Sequence, residues 1–253
     1  MKALVLAAGL GERLRPLTDK IPKPLLELGG RPLIHYPLMM LRRAGITEIV
    51  VNVHHLAQQI QSALADGGAL GLKLSYAPET TLLGTGGPLP GLRSFFGEDS
   101  FVVANADTLL DLDLGAMIAA HRERRALVTF AVRVLDNVNA YSRLELDPSE
   151  RLRRIRFLRR GGVFEDVPTT IDPSLEPTLR AYMFCGVYVC APQALAGPMP
   201  HAPFGSIEHL FAPMLARGLP LYGYLHRGFF VTVDDLVSYE ALRRQFADRP
   251  PPL

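Results

Sequence analysis

Short apolar runs alternate with helix-patterned stretches through the first half of the chain, and this alternation narrows the fold before any single residue is considered. "KALVLA", "EIVVNV", "LKLSYA" and "FVVANAD" read as strands. Between them, "RPLIHYPLMMLRRAG" and "HLAQQIQSALADGG" carry apolar residues at helical spacing and stop at glycine, and "GGPLPGLRSFF" reads as a short helix. "LGAMIAAHRERR" and "ALVTFAVRV" add one more helix and strand. The order implies an α/β fold with a mainly parallel sheet and right-handed crossovers.

Past Asp136 the pattern changes. "YSRLELD" and "RLRRIRFL", joined by "PSE", predict a hairpin. "AYMFCGVYVCAP" reads as a strand, "SIEHLFAPMLARG" as a helix, "PLYGYLH" and "GFFVTV" as strands, and "DLVSYEALRRQF" as a closing amphipathic helix. No repeat or long linker interrupts the chain. The expectation is one domain over residues 1–247, with functional halves 1–110 and 111–247, and a disordered tail over 248–253.

Charge and cysteine content exclude several classes. A net charge of +2, from 27 basic and 25 acidic residues, gives no case for nucleic acid. No apolar run approaches a membrane span, and glycines cut the N-terminal strand too early for a signal peptide, so a soluble, cytoplasmic protein is expected. Two cysteines, Cys185 and Cys190, provide neither a zinc site nor a disulfide frame and read as buried reduced thiols.

The first strand runs into "GLGERLRPLTDKIPKP". Glycines at a strand end let backbone N–H groups bracket phosphate oxygens. Arg13 can add a bidentate contact and Lys23 a point charge, with Pro22 and Pro24 restricting the backbone around the lysine. The spacing fits neither a Walker loop nor the G-x-G-x-x-G of a dinucleotide site. His54 and His55, just before a helix, read as capping or surface groups.

The whole string "LAAGLGERLRPLTDKIPKPLLELGGRPLI" resembles the signature of the sugar-1-phosphate nucleotidyltransferases. The likeness continues through "LLGTGGPL" and "VVANAD" and, more loosely, "FCGVYV" and "SIE". It implies a three-layer, Rossmann-like (GT-A-like) fold with a mixed, mainly parallel sheet. It also implies transfer of a nucleotidyl group from a nucleoside triphosphate to a sugar 1-phosphate, with Mg²⁺ as cofactor. Carried over residue by residue, Leu6, Ala7, Ala8, Gly9, Gly11 and Glu12 would hold the nucleotide. Arg13 would lie on the β- and γ-phosphates, Lys23 near the α-phosphate, and Asp107 would hold the metal. Asn105 would contact the nucleoside. Glu79, Gly84, Thr85 and Gly86 fall in the base-reading loop, and a carboxylate at Glu79 suits the N1–H and N2–H of guanine, which favours GTP with a mannose- or heptose-like sugar. A uridylyl- or thymidylyltransferase is the alternative within the family. A homodimer is compatible with the sequence but not called for by it.

Three departures stand out. Ala106 replaces a usual glycine. Thr232 falls where the family has a second metal aspartate, leaving Asp234 either as a metal ligand or as the cap of the last helix. The lysine expected to bind the sugar phosphate is missing, with Arg159 or Arg160 as replacements; the six arginines between Arg151 and Arg160 read more readily as a solvated hairpin. Ser142 and Gly186 match sugar-pocket positions, and Tyr182 and Glu208 are weaker candidates. These departures keep open a catalytically inactive homologue that binds nucleotide sugars.

Overall fold

A computed structural model describes residues 1–253 except 135–140, 160, 168, 170 and 248. The chain forms two compact units that interleave in sequence. One comprises Met1–Leu83, Phe101–Leu114 and Gly228–Leu253; the other comprises Gly84–Ser100 and Gly115–Arg227. This division differs from the consecutive halves expected from the sequence, because the C-terminal segment folds back onto the first unit's own elements.

The first unit is built on parallel strands. Ala3–Leu6 lies between Glu48–Val53 and Phe101–Asn105, and Lys73–Pro78 adds beyond Glu48–Val53. Leu4 stands opposite Val50 on one side and Val103 on the other. A strand flanked on both edges and covered on both faces has no polar side, which is why "ALVL" is a continuous apolar run. Ala3, Leu4 and Val5 are fully buried, and each large side chain of this kind stabilises the fold by about 1.5–3 kcal/mol. Helices His35–Arg43 and Ala57–Leu64 follow the first two sequence segments read as helical. The first ends in a left-handed Gly45 (φ 75°), whose neighbour Ile46 donates its N–H back to Leu41.

A two-stranded antiparallel ladder in the same unit pairs Phe230–Thr232 with Thr108–Leu110, setting Thr232 opposite Thr108. Helix Leu236–Gln245 comes next in the chain. Tyr239 and Phe246 join Leu14, Leu28, Leu33, Leu109 and Val233 in one buried cluster. The last residues, expected to be a disordered tail, are seated against this unit. Pro251 is buried, Leu253 packs on the cluster, and the Leu253 carbonyl accepts from Arg43 at 3.0 Å. Proline loses little backbone entropy on docking, so three in a row order at small cost.

The second unit carries a mixed sheet. Its strands run, neighbour to neighbour, Phe164–Asp166, Leu152–Leu158, Arg143–Leu146, Arg180–Cys190, Val128–Val134 and Leu221–Leu225; only the last pair is parallel. The expected hairpin is present, with Asp147 holding its turn through the amides of Ser149 (2.8 Å) and Arg151 (3.2 Å). Phe130, Tyr188 and Phe211 stack edge to face or tilted at the core of this unit. Cys185 and Cys190 are buried there as free thiols. Burial pushes Cys185 up to about 12 and Cys190 well above its ordinary range. Among the described residues no helix is long and apolar enough to cross a membrane.

Candidate active site

The parallel strands of the first unit end at a cavity of about 450 Å³. Two adjacent strands, Ala3–Leu6 and Phe101–Asn105, point their carboxyl ends at it. The strand ends and the loops beyond them form the walls: Leu6, Ala7 and Gly9 to Arg13 from the first, Ala106 and Asp107 from the second. Lys23, Pro24, Leu82 and Asp234 complete the lining. This is where an open parallel sheet offers ligands the free N–H groups and loops beyond its strands.

The two glycines of the loop have different physical reasons. Gly11 sits in the left-handed region (φ 65°), and a Cβ there would meet Thr18 Cγ2 at 2.8 Å, so the fold itself requires glycine. A Cβ on Gly9 would meet no protein atom within 4 Å; what its missing side chain leaves open is the cavity. The rest of the loop is pinned from outside. Thr18 donates its hydroxyl to the Gly11 carbonyl at 2.9 Å, and its own carbonyl accepts from His55 Nε2 at 2.7 Å. Gln59 donates to the Lys20 carbonyl at 3.0 Å. Both histidines that the sequence left as capping or surface groups are clasps. His54 Nδ1 lies 2.8 Å from the Glu79 carbonyl, and a carbonyl can only accept, so each of these ring nitrogens carries a proton.

Four charged side chains meet in the cavity as two ion pairs. Lys23 Nζ pairs with Asp107 Oδ2, and Arg13 donates to Asp234 Oδ1 at 3.3 Å. The local backbone sets this arrangement. Lys23 opens a short helical turn behind Pro22, and Asp107 lies just beyond the strand Phe101–Asn105. Val233 donates its N–H to the Asp107 carbonyl at 3.3 Å, which extends the antiparallel ladder by one step and brings Asp234 alongside.

The helix-cap role considered for Asp234 falls to its neighbour. Asp235 is the N-cap of Leu236–Gln245: its carboxylate accepts from Ser238 N at 2.8 Å, and Ser238 Oγ accepts from Asp235 N at 3.2 Å. The Ser238 amide, then its hydroxyl, hold the Asp235 carboxyl below the usual range. Asp234 is left facing the cavity, two residues beyond Thr232.

Asp107 and Asp234 therefore present a hard-oxygen donor pair to one cavity. Magnesium takes six ligands and commonly one or two carboxylates, with phosphate and water for the rest. Among the described residues no group of three His, Cys, Asp or Glu gathers anywhere. The donor set suits a cation that arrives with a phosphate chain rather than one caged by protein alone.

Other candidates have different surroundings. Ala8 is buried and Asn105 ends its strand in register with Leu6; neither lines the cavity. Glu79, offered as the base reader, is 8% exposed and spends both oxygens inside the protein. Oε1 accepts from Asn52 Nδ2 at 2.8 Å and Oε2 from Leu83 N at 2.9 Å. Gly84, Thr85 and Gly86 belong to the second unit, where the close approach they permit is to Phe204. A Cβ on Gly86 would meet the Phe204 ring at 2.3 Å, one on Gly84 the Phe204 carbonyl oxygen at 2.5 Å, and Ser206 N donates to Thr85 Oγ1 at 2.9 Å.

The sugar-side candidates lie in the second unit too. Arg159 is held between Glu165 and Glu208, each at 2.6 Å, which keeps Glu208 below the usual carboxylate range. Its neighbours are held in the same way: Arg153 pairs with Asp147, Arg154 with Glu145 and Glu176, and Arg156 with Asp166. These four arginines are ion-paired and still partly exposed to solvent. Ser142 Oγ accepts from Leu158 N at 3.0 Å, inside the hairpin. Gly186 lies at a bulge between Phe184 and Tyr188 with φ 75°, a conformation that calls for glycine. Tyr182 pairs in the sheet with Val134 and Leu144. Arg160 lies outside the described residues.

Known proteins resemble this chain in sequence and in fold. The profile of the family described as nucleotidyl transferase matches residues 2–157. Over 235 residues the chain is 31% identical to a UTP–glucose-1-phosphate uridylyltransferase of Synechocystis, covering 88% of this chain and 57% of that protein. Over 117 residues it is 49% identical to an N-acetylmuramate alpha-1-phosphate uridylyltransferase of Neisseria meningitidis, covering 46% and 51%. It is 30% identical over 230 residues to a mannose-1-phosphate guanylyltransferase of Mycobacterium tuberculosis, covering 90% and 59%. The chain thus spans between half and two thirds of the length of these relatives. The crystal structure of HddC from Yersinia pseudotuberculosis superposes with a TM-score of 0.76 at 21% identity, covering 97% of this chain and 99% of that one, which speaks for the fold.

Proposed function

Because the chain belongs to the nucleotidyl transferase family, we propose that it transfers a nucleotidyl group from a nucleoside triphosphate to a sugar 1-phosphate, releasing pyrophosphate. The observation that carries this reading is the two ion pairs, Lys23–Asp107 and Arg13–Asp234, in one cavity lined by the glycine loop. Two cations there can take phosphate oxygens and two carboxylates can take a divalent cation, so the charges needed for both are gathered before any ligand arrives.

In the reaction, an oxygen of the sugar phosphate attacks the α-phosphorus in line. The bond from that phosphorus to the bridging oxygen of the β-phosphate breaks, and pyrophosphate leaves. No protein nucleophile is required. Lys23 neutralises charge growing at the α-phosphate, Arg13 steadies the departing pyrophosphate, and the open floor at Gly9 admits the chain of phosphates. Magnesium, held by Asp107 and Asp234, would supply Lewis-acid polarisation of the phosphoryl oxygens.

For the base, a pyrimidine is the better reading. Glu79 was the ground for guanine, and its oxygens are committed to Asn52 and Leu83. Of the relatives above, the match at 49% identity is a uridylyltransferase and the guanylyltransferase matches at 30%. UTP with N-acetylmuramate 1-phosphate or glucose 1-phosphate is therefore the first pairing to try, and GTP with mannose 1-phosphate the second. The test is a pyrophosphate-release screen crossing the common nucleoside triphosphates with these sugar 1-phosphates in magnesium. Release that depends on both substrates supports the reading. Tight nucleotide-sugar binding with no release across the panel would replace it with the inactive, ligand-sensing homologue.

A further inference from the structure

Asn52 is out of place by its neighbours. It sits in the strand Glu48–Val53, "EIVVNV", between buried valines, and is 2% exposed. A buried amide is retained only where its hydrogen bonds are met. Here Asn52 Oδ1 accepts from Ala7 N at 2.7 Å, and Asn52 Nδ2 donates to Glu79 Oε1 at 2.8 Å. Glu79 Oε2 then accepts from Leu83 N at 2.9 Å. The glutamate's backbone is fixed as well, with its N–H on the Val53 carbonyl at 2.8 Å and its carbonyl against His54.

The chain of bonds has two ends, and both matter to the cavity. Ala7 lines it where the first strand enters the glycine loop, and Leu82, the residue before Leu83, lines it from another loop. We propose that Asn52 and Glu79 are positioning residues, a buried relay that ties these two walls together and fixes the separation at which the nucleotide is gripped. The proposal rests on the nucleotidyl-transfer reading of the cavity. Neither side chain touches the reacting atoms. Each acts through backbone at the cavity wall or one residue from it, and placement errors of under an ångström are enough to weaken such sites.

Polarity makes the relay testable. Asn52→Asp keeps the acceptor for Ala7 but sets a second carboxylate against Glu79. Glu79→Gln turns an amide N–H toward either Leu83 N–H or the Asn52 amide, and donors then face each other. The double variant restores every bond with the central one reversed. In it the introduced aspartate would accept from Ala7 and from the amide of the introduced glutamine, whose oxygen would accept from Leu83. Charge is conserved as well.

The experiment measures KM and kcat for the triphosphate that the wild type uses best, together with amide hydrogen exchange at Ala7 and Leu83. Each single variant should raise KM by about tenfold with kcat changed less than about threefold, and should speed exchange at its own end of the relay. The double variant should return KM to within about threefold of wild type and slow both amides again. Folded single variants with wild-type KM and exchange would overturn the relay. So would a double variant no better than the worse single, or a Glu79→Gln that changes base preference without changing KM, since that is the mark of direct base reading. If the wild type itself releases no pyrophosphate, the transfer reading fails, and the relay is still judged by amide exchange in the three variants.

Discussion

Asp235 accepts the Ser238 amide hydrogen at 2.8 Å and thereby leaves its chain neighbour Asp234 turned toward Arg13, 3.3 Å away. Adjacent carboxylates have separate duties, one to the helix and one to the cavity. Asp235→Ala should lower stability, as loss of a helix cap does, and leave turnover near wild type. Asp234→Ala should do the reverse, with an ordinary denaturation midpoint and a raised magnesium requirement. Urea unfolding alongside a magnesium titration of activity separates them; equal stability losses in both variants would refute the division.

The glycine loop makes an equally sharp contrast. Gly11→Ala forces a Cβ into Thr18 at a positive φ and should destabilise by about 1–3 kcal/mol. Gly9→Ala meets no protein atom within 4 Å, so its thermal midpoint should hold while triphosphate affinity falls. Calorimetric unfolding and nucleotide titration of the two variants check this. A Gly9→Ala protein that binds nucleotide normally would show the phosphates lie elsewhere.

In the second unit, Gly86→Ala drives a methyl to 2.3 Å from the Phe204 ring. Overpacking of this kind costs about 1–3 kcal/mol. Phe204→Leu in the same chain should recover part of the loss, and a double-mutant cycle in denaturant reads the coupling.

His121 gives the fold a pH dependence. It is 2% exposed, between Ser100 Oγ at 3.3 Å and Thr129 Oγ1 at 2.9 Å. Burial, and secondarily Arg122, lower it from 6.5 to about 4. Between those values the unfolded chain binds the proton and the folded one does not, so stability rises with pH across this window. The contribution is complete above about 6.5 and is lost progressively on acidification toward 4, by about 2–3 kcal/mol from this group. Denaturation curves at pH 7 and 4.5 should show the drop, and His121→Gln should flatten it.

Much of the first unit was legible because its determinants are local. A buried parallel strand announces itself as an unbroken apolar run, and the loop from Gly9 to Lys23 brings its glycines and cations along one stretch of chain. What the sequence could not show depends on partners far along it. Glu79 looked like a base reader because nothing nearby reveals that Asn52, 27 residues earlier, claims its oxygen. The glycines at 84 and 86 looked like ligand space because Phe204 is distant in sequence. The cap moved from Asp234 to Asp235 on a one-residue difference in where a strand ends, which side-chain alternation alone does not fix. Asn52 itself carried a signal, a lone amide in a valine strand, that would have pointed to the relay.

The arginine-rich hairpin has a consequence for how the protein behaves among polyanions. Arg153, Arg154, Arg156 and Arg159 are engaged by six carboxylates: Glu145, Asp147, Glu165, Asp166, Glu176 and Glu208. Charges matched at such short range form small dipoles whose pull fades faster than that of an isolated ion, and salt has little left to screen. On a heparin column, which retains unbalanced cationic faces, this hairpin should add little to retention even in dilute buffer.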